Sequence, residues 1–125
     1  MIKLFVTIAS VSGLLAVVLG AFGAHGLKAR VTPERLDVWQ TAAHYHLVHS
    51  VALLALCGLL AAYPSSTLTR AGWAFIVGIL IFAGSLYTLV LTDIAILGAI
   101  TPIGGLSFMV GWACCAWFGW SELGS

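Results

Sequence analysis

Charge is what this chain has least of. Only 7% of its 125 residues are charged, against about 25% in an ordinary soluble domain, which excludes a water-soluble globular protein of the usual kind. The net charge is +1, so there is no basic surface for nucleic acid, and no glycine-rich phosphate loop stands in a strand-helix context. Neither nucleic-acid binding nor nucleotide chemistry is expected. Cysteine is scarce as well. The three thiols, Cys57, Cys114 and Cys115, lie inside apolar runs without CxxC spacing and read as small apolar groups, Cys57 with Cys115 being the one pair worth checking for a disulfide. No nucleophile with an adjacent base and an orienting acid can be assembled, so the expectation is a protein that is not an enzyme and that has no cofactor.

What is abundant is hydrocarbon: 62% of the residues are hydrophobic. The few charges punctuate the chain and leave uncharged runs over 4–27, 38–69, 71–92 and 94–121. About 20 mostly apolar residues suffice for a spanning helix. The reading is a single transmembrane domain over 1–125, an all-α integral membrane protein folded as an antiparallel four-helix bundle with helices near 4–24, 33–62, 71–91 and 103–120. The apolar stretch from Leu4 to Phe22 exceeds the roughly 7 to 15 residues of a secretory h-region, so it is expected to remain as a membrane helix.

Local signals set the ends. Gly26 is a candidate C-terminal cap for the first helix. Thr32-Pro33-Glu34 reads as a helix start, with a hydroxyl cap, proline at the first helical position and an acid facing the positive end of the dipole. Pro64 breaks the second segment from the third. The stretch 92–102 is ambiguous between an interfacial loop and an extension of the third helix. Small residues recur every four positions at Ser12, Ala16, Gly20 and Ala24, and again at Ser107, Gly111, Cys115 and Gly119, marking faces where helices approach closely.

Threading the helices antiparallel puts the polar residues at one depth. Let side B carry the charged 28–37 loop and side A be the opposite one. His25, His44, Tyr45, His46, Ser85, Tyr87 and Asp93 then belong to the B half, with His49 deepest. Side A receives Tyr63, Trp73, Trp117 and Trp120, which read as an interfacial aromatic belt. At about 100° per residue Tyr45, His46 and His49 share a face, whereas His44 lies above Gln40 and Asp37 toward the wetter side.

Three readings of this cluster remain open. The imidazoles can lock helix to helix through hydrogen bonds; the His and Tyr groups with Asp93 can line a path for protons or a small solute; or His25, His46 and His49 can bind a metal or haem. The first is preferred, and no metal is expected.

The strings GAFGAHGLK (20–28), WQTAAHYHLVHS (39–50), GSLYTLVL (84–91) and GAITPIGGLSFMVGW (98–112), collinear over nearly the whole chain, resemble the small membrane proteins of domain of unknown function 423, related to transmembrane protein 256. The resemblance implies a four-helix protein of the bacterial cytoplasmic membrane, or of a mitochondrial membrane in eukaryotic relatives. It singles out His25 and His49, treats His44 and His46 as positions that accept other polar residues, and marks Asp93 as a departure where glycine or another small residue is expected. Positive-inside counting leans toward a cytoplasmic 28–37 loop, although counting the amino terminus balances the two sides. Small-residue faces on short helices favour a homo-oligomer or another membrane-protein partner in the bilayer.

Overall fold

The computed structural model describes residues 1–124. Four helices long and apolar enough to cross a membrane run Ile2–Leu27 (α1), Pro33–Ala62 (α2), Ser66–Thr92 (α3) and Ala95–Ser121 (α4), with no strand among the described residues. Each starts or stops for a local reason. The Thr32 hydroxyl accepts from the Arg35 amide at 3.3 Å and Pro33 opens α2. Helix α3 begins five residues before the expected position 71. Ser65 is its cap, its hydroxyl accepting from the Thr67 and Leu68 amides at 3.1 and 3.3 Å, so Pro64 only has to break the chain one residue earlier.

The ambiguous 92–102 stretch belongs to α4. Asp93 ends α3 in the left-handed region at φ 57°, and Ala95–Ala99 then form a 3₁₀ turn leading into the α-helix Thr101–Ser121, with Pro102 in its first turn. Gly26 does not cap α1. It lies inside a π-helical turn, Gly23–Leu27, which carries α1 past the expected residue 24. A second π-turn, Ile79–Ala83, interrupts α3. Such turns displace the side chains that follow them relative to a straight α-helix.

Helix α1 lies along α2, α3 lies along α4, and α2 joins the two pairs. Between α3 and α4 the packing is reciprocal. Phe75 of α3 fills the space over Gly111 of α4, Phe108 of α4 does the same over Gly78 of α3, and the Phe82 backbone meets Gly104 so closely that a Cβ there would lie 2.3 Å from its amide nitrogen. Of the small-residue stripes, Ser12 and Ala16 are buried and Gly111 is covered, whereas Ala24 is exposed and nothing stands within 4 Å of a Cβ built on Gly119. The tightest crossing is thus at Gly104. Ser107 adds a hydrogen bond to the Ala74 carbonyl at 2.7 Å.

The main core lies toward side A and includes Phe5, Leu53, Leu68 and Phe75, and a smaller cluster of Leu27, Trp39, Leu89 and Val90 closes side B. Outer faces stay apolar and exposed, as at Leu14, Val17, Leu80, Ile103 and Met109, and Tyr63, Trp73, Trp117 and Trp120 are all exposed. Cys57, Cys114 and Cys115 are free thiols.

A candidate polar cluster in the bundle

The polar residues of the B half fall into three groups. The first is a chain centred on His46, which is buried between α1 and α3. Its Nδ1 lies 3.0 Å from the Tyr87 hydroxyl and its Nε2 lies 3.0 Å from the Ser12 hydroxyl, which is itself 2.6 Å from the Ser50 hydroxyl. Ser50 in turn donates to the His46 main-chain carbonyl at 2.7 Å.

That last bond orients all the others. A carbonyl only accepts, so the Ser50 proton is committed to it, and Ser12 must donate to Ser50. Ser12 can then only accept from His46 Nε2–H, which leaves Nδ1 to accept from the Tyr87 O–H. Four donors are used in sequence from Tyr87 to the main chain, binding α1, α2 and α3 together. A serine within a helix commonly bonds back to the carbonyl of residue i−4 in this way.

The second group surrounds His49. Its Nδ1–H donates to the Tyr45 carbonyl at 2.8 Å, and its Nε2 accepts from the indole N–H of Trp112 at 3.0 Å. The ring lies parallel to Phe108, with centroids 3.6 Å apart, while the Phe75 ring stands tilted to it at 5.6 Å. Tyr45 stacks near His49 at 6.0 Å, but its hydroxyl takes no part in these bonds and the residue is 42% exposed. His46 and His49 therefore do not act on one face. His46 bonds to α1 and α3 and His49 to α4, because the two rings leave α2 about 60° apart and each finds the helix on its own side.

The third group comprises residues that do not join the cluster. His25 is exposed in the π-turn of α1. Asp93 accepts from Arg35 Nε at 3.0 Å as an ion pair between the end of α3 and the first turn of α2, its own side chain 78% exposed. Ser85 bonds to the Phe82 carbonyl and to the Thr101 hydroxyl, at 3.0 and 2.6 Å. His44, Gln40 and Asp37 are exposed. Among the described residues no three His, Cys, Asp or Glu side chains come together in a group able to hold a metal. The trio His25, His46 and His49 is not assembled: the first is at the surface, and both nitrogens of each of the others already face protein partners.

Sequence reasoning missed four participants. Ser12 reads as a packing residue but is a link in the His46 chain; Ser50 and Trp112 carry no signal of their own. Trp39 is fully enclosed, edge-on to Phe22 and 4.6 Å from the Tyr87 ring, and donates to the Leu19 carbonyl at 2.8 Å. Gly23 makes room for it, since a Cβ there would meet the indole at 2.5 Å. No buried side-chain nitrogen or oxygen among the described residues lacks a partner.

Comparison with known proteins agrees with this architecture. A family described as protein of unknown function DUF423 matches residues 19–105. The chain is 46% identical over 110 residues to a UPF0382 membrane protein of Staphylococcus aureus, covering 88% of this chain and 89% of the relative. It is 44% identical over 111 residues to the UPF0382 membrane protein YwdK of Bacillus subtilis, covering 88% and 90%. No solved structure matches it.

Proposed function

This chain belongs to the DUF423 family of membrane proteins, and on that premise we propose that it is a non-enzymatic structural or accessory component of the bacterial cytoplasmic membrane, whose His/Tyr cluster fixes the positions of its own helices. One observation carries this reading: the donors from Tyr87 through His46, Ser12 and Ser50 end on the His46 carbonyl. A main-chain carbonyl has no proton to pass on, so the chain ties helices rather than relaying charge. In hydrocarbon such bonds replace water that is absent, each contributing about 0.6 kcal/mol and at most about 1.7. Assembly as a homo-oligomer, or with another membrane protein, accompanies this reading, since the outer faces of α1 and α4 are broadly apolar; no nucleic-acid partner, metal or cofactor does.

The test is reconstitution of the purified protein into vesicles. Proton flux under an imposed potential should equal that of empty vesicles, while His46→Gln should lower resistance to unfolding. Flux above the empty-vesicle level that His46→Gln or His49→Gln abolishes, with stability intact, would overturn the proposal in favour of a conducting bundle. A Soret band or stoichiometric metal in the preparation would overturn it in favour of a cofactor carrier.

A further inference from the structure

Helix α3 changes partners at its π-turn, Ile79–Ala83. Up to the turn it is held on α4, where Phe108 covers Gly78, Phe75 covers Gly111 and the Phe82 backbone lies against Gly104. Beyond it, Leu89 and Val90 pack with Trp39 of α2, and Tyr87 reaches His46.

A π-turn closes its hydrogen bonds between residues i and i+5 instead of i and i+4, so it holds one residue more than an α-turn. That residue re-aims everything after it. At about 100° per residue, the same chain wound as an unbroken α-helix would bring Leu86 to the bearing that Tyr87 now has, and Thr88 to that of Leu89. Leucine has no hydroxyl. His46 Nδ1 would then lose its donor at a depth where no water replaces it. The turn itself is loosely covered on its outer side: Leu80 is exposed, and nothing stands within 4 Å of a Cβ built on Gly84.

The bond at stake spans a gap. Phe5 of α1 lies over Gly72 of α3, but beyond that contact a furrow of about 450 Å³ separates the two helices. Among the described residues, the hydrogen-bonded path across it is Tyr87 to His46 to Ser12.

We infer that the π-turn Ile79–Ala83 is a register device, whose one spare residue presents Tyr87 to His46 in place of Leu86. The state of this turn decides whether the B half of α3 is tied to α1 and α2. The inference rests on the reading of the His46 chain as a tie between helices, and adds the element that sets it.

Nitrogen-15 spectra of the histidine-labelled full chain in phosphatidylcholine nanodiscs test it, with Tyr87→Phe giving the His46 Nδ1 signal of the broken bond. Deleting Leu80 removes the spare residue and leaves the bearing of Tyr87 unchanged, so the protein should fold and keep the parent signal. Inserting one alanine between Leu80 and Ile81 turns Tyr87 about a further 100°, so the signal should coincide with that of Tyr87→Phe. A Leu80 deletion that fails to fold, or that folds with the signal of Tyr87→Phe, would overturn the inference, as would an insertion that keeps the parent signal. The readout is the bond and not stability or transport. Proton flux through vesicles, with both signals as expected, would therefore remove the structural role and leave the register intact.

Discussion

The indole N–H of Trp112 points at Nε2 of His49 across 3.0 Å, while Nδ1 of the same ring faces the Tyr45 carbonyl. An acceptor on one nitrogen and a donor on the other define one tautomer, Nδ1–H, and tie α4 to α2. Nitrogen-15 spectra of histidine-labelled protein should show His49 protonated at Nδ1 and bare at Nε2. A proton on Nε2 would refute the assignment. Trp112→Phe should cost about 0.6 to 1.7 kcal/mol in a reversible unfolding titration.

Tyr87 and Ser50 do not touch, yet both are bound to His46, one through its ring and one through its carbonyl and Ser12. Their substitutions should therefore be non-additive. A double-mutant cycle of Tyr87→Phe and Ser50→Ala is expected to give a coupling energy of at least about 0.5 kcal/mol. Strict additivity would mean that the four bonds are independent.

Two glycines of α4 should respond oppositely to one methyl group. At Gly104 the added carbon would meet Phe82 backbone at 2.3 Å, which cannot rotate away, whereas at Gly119 it meets open space. Gly104→Ala should destabilise by about 1 to 3 kcal/mol through overpacking. Gly119→Ala should be neutral or stabilise by up to about 1 kcal/mol through helix propensity. Equal effects at the two sites would disprove the close crossing.

Asp93 combines a left-handed backbone at φ 57° with an exposed ion pair to Arg35. Asp93→Gly relieves the first and removes the second, each worth about 1 kcal/mol or less, so stability should hardly change. Asp93→Val keeps neither advantage, and its branched side chain resists positive φ. Thermal unfolding should place valine clearly below both aspartate and glycine.

Beyond the end of α4, the Thr67 and Ser65 side chains, with Arg70 nearby, hold the Glu122 carboxyl below its ordinary value, and Ser65 donates to it at 2.7 Å. A lowered folded value means that this tie is present above the ordinary carboxylate range and is lost as pH falls through the lowered one. A carboxyl NMR titration should show a depressed midpoint for Glu122 that Ser65→Ala moves back toward normal.

The four spans were legible in the sequence because the energetics of hydrocarbon depends on length and charge, which a chain displays residue by residue. The Thr32-Pro33 start of α2 was legible for the same reason, since a cap acts within four residues. Where a second local signal competed, the outcome differed: the Ser65 cap starts α3 ahead of Arg70 and of the uncharged run that begins at 71, and the π-turn Gly23–Leu27 absorbed a glycine that resembled a cap. Helical spacing also grouped residues that packing then separated. His46 and His49 lie about 60° apart on a wheel, yet one bonds to α1 and α3 and the other to α4.

What the sequence by itself determined is therefore the membrane setting, the antiparallel order of the helices and the half of the bundle in which polar groups collect. Only the tertiary structure decided which of them meet. Partner choice depends on how far each helix is rotated about its axis. That rotation follows from contacts across the bundle, such as Gly104 on Phe82 and Gly23 beneath Trp39, between residues far apart along the chain. Those contacts drew Ser12, Ser50 and Trp112 into hydrogen bonds with the two buried histidines and left His25 and Asp93 outside.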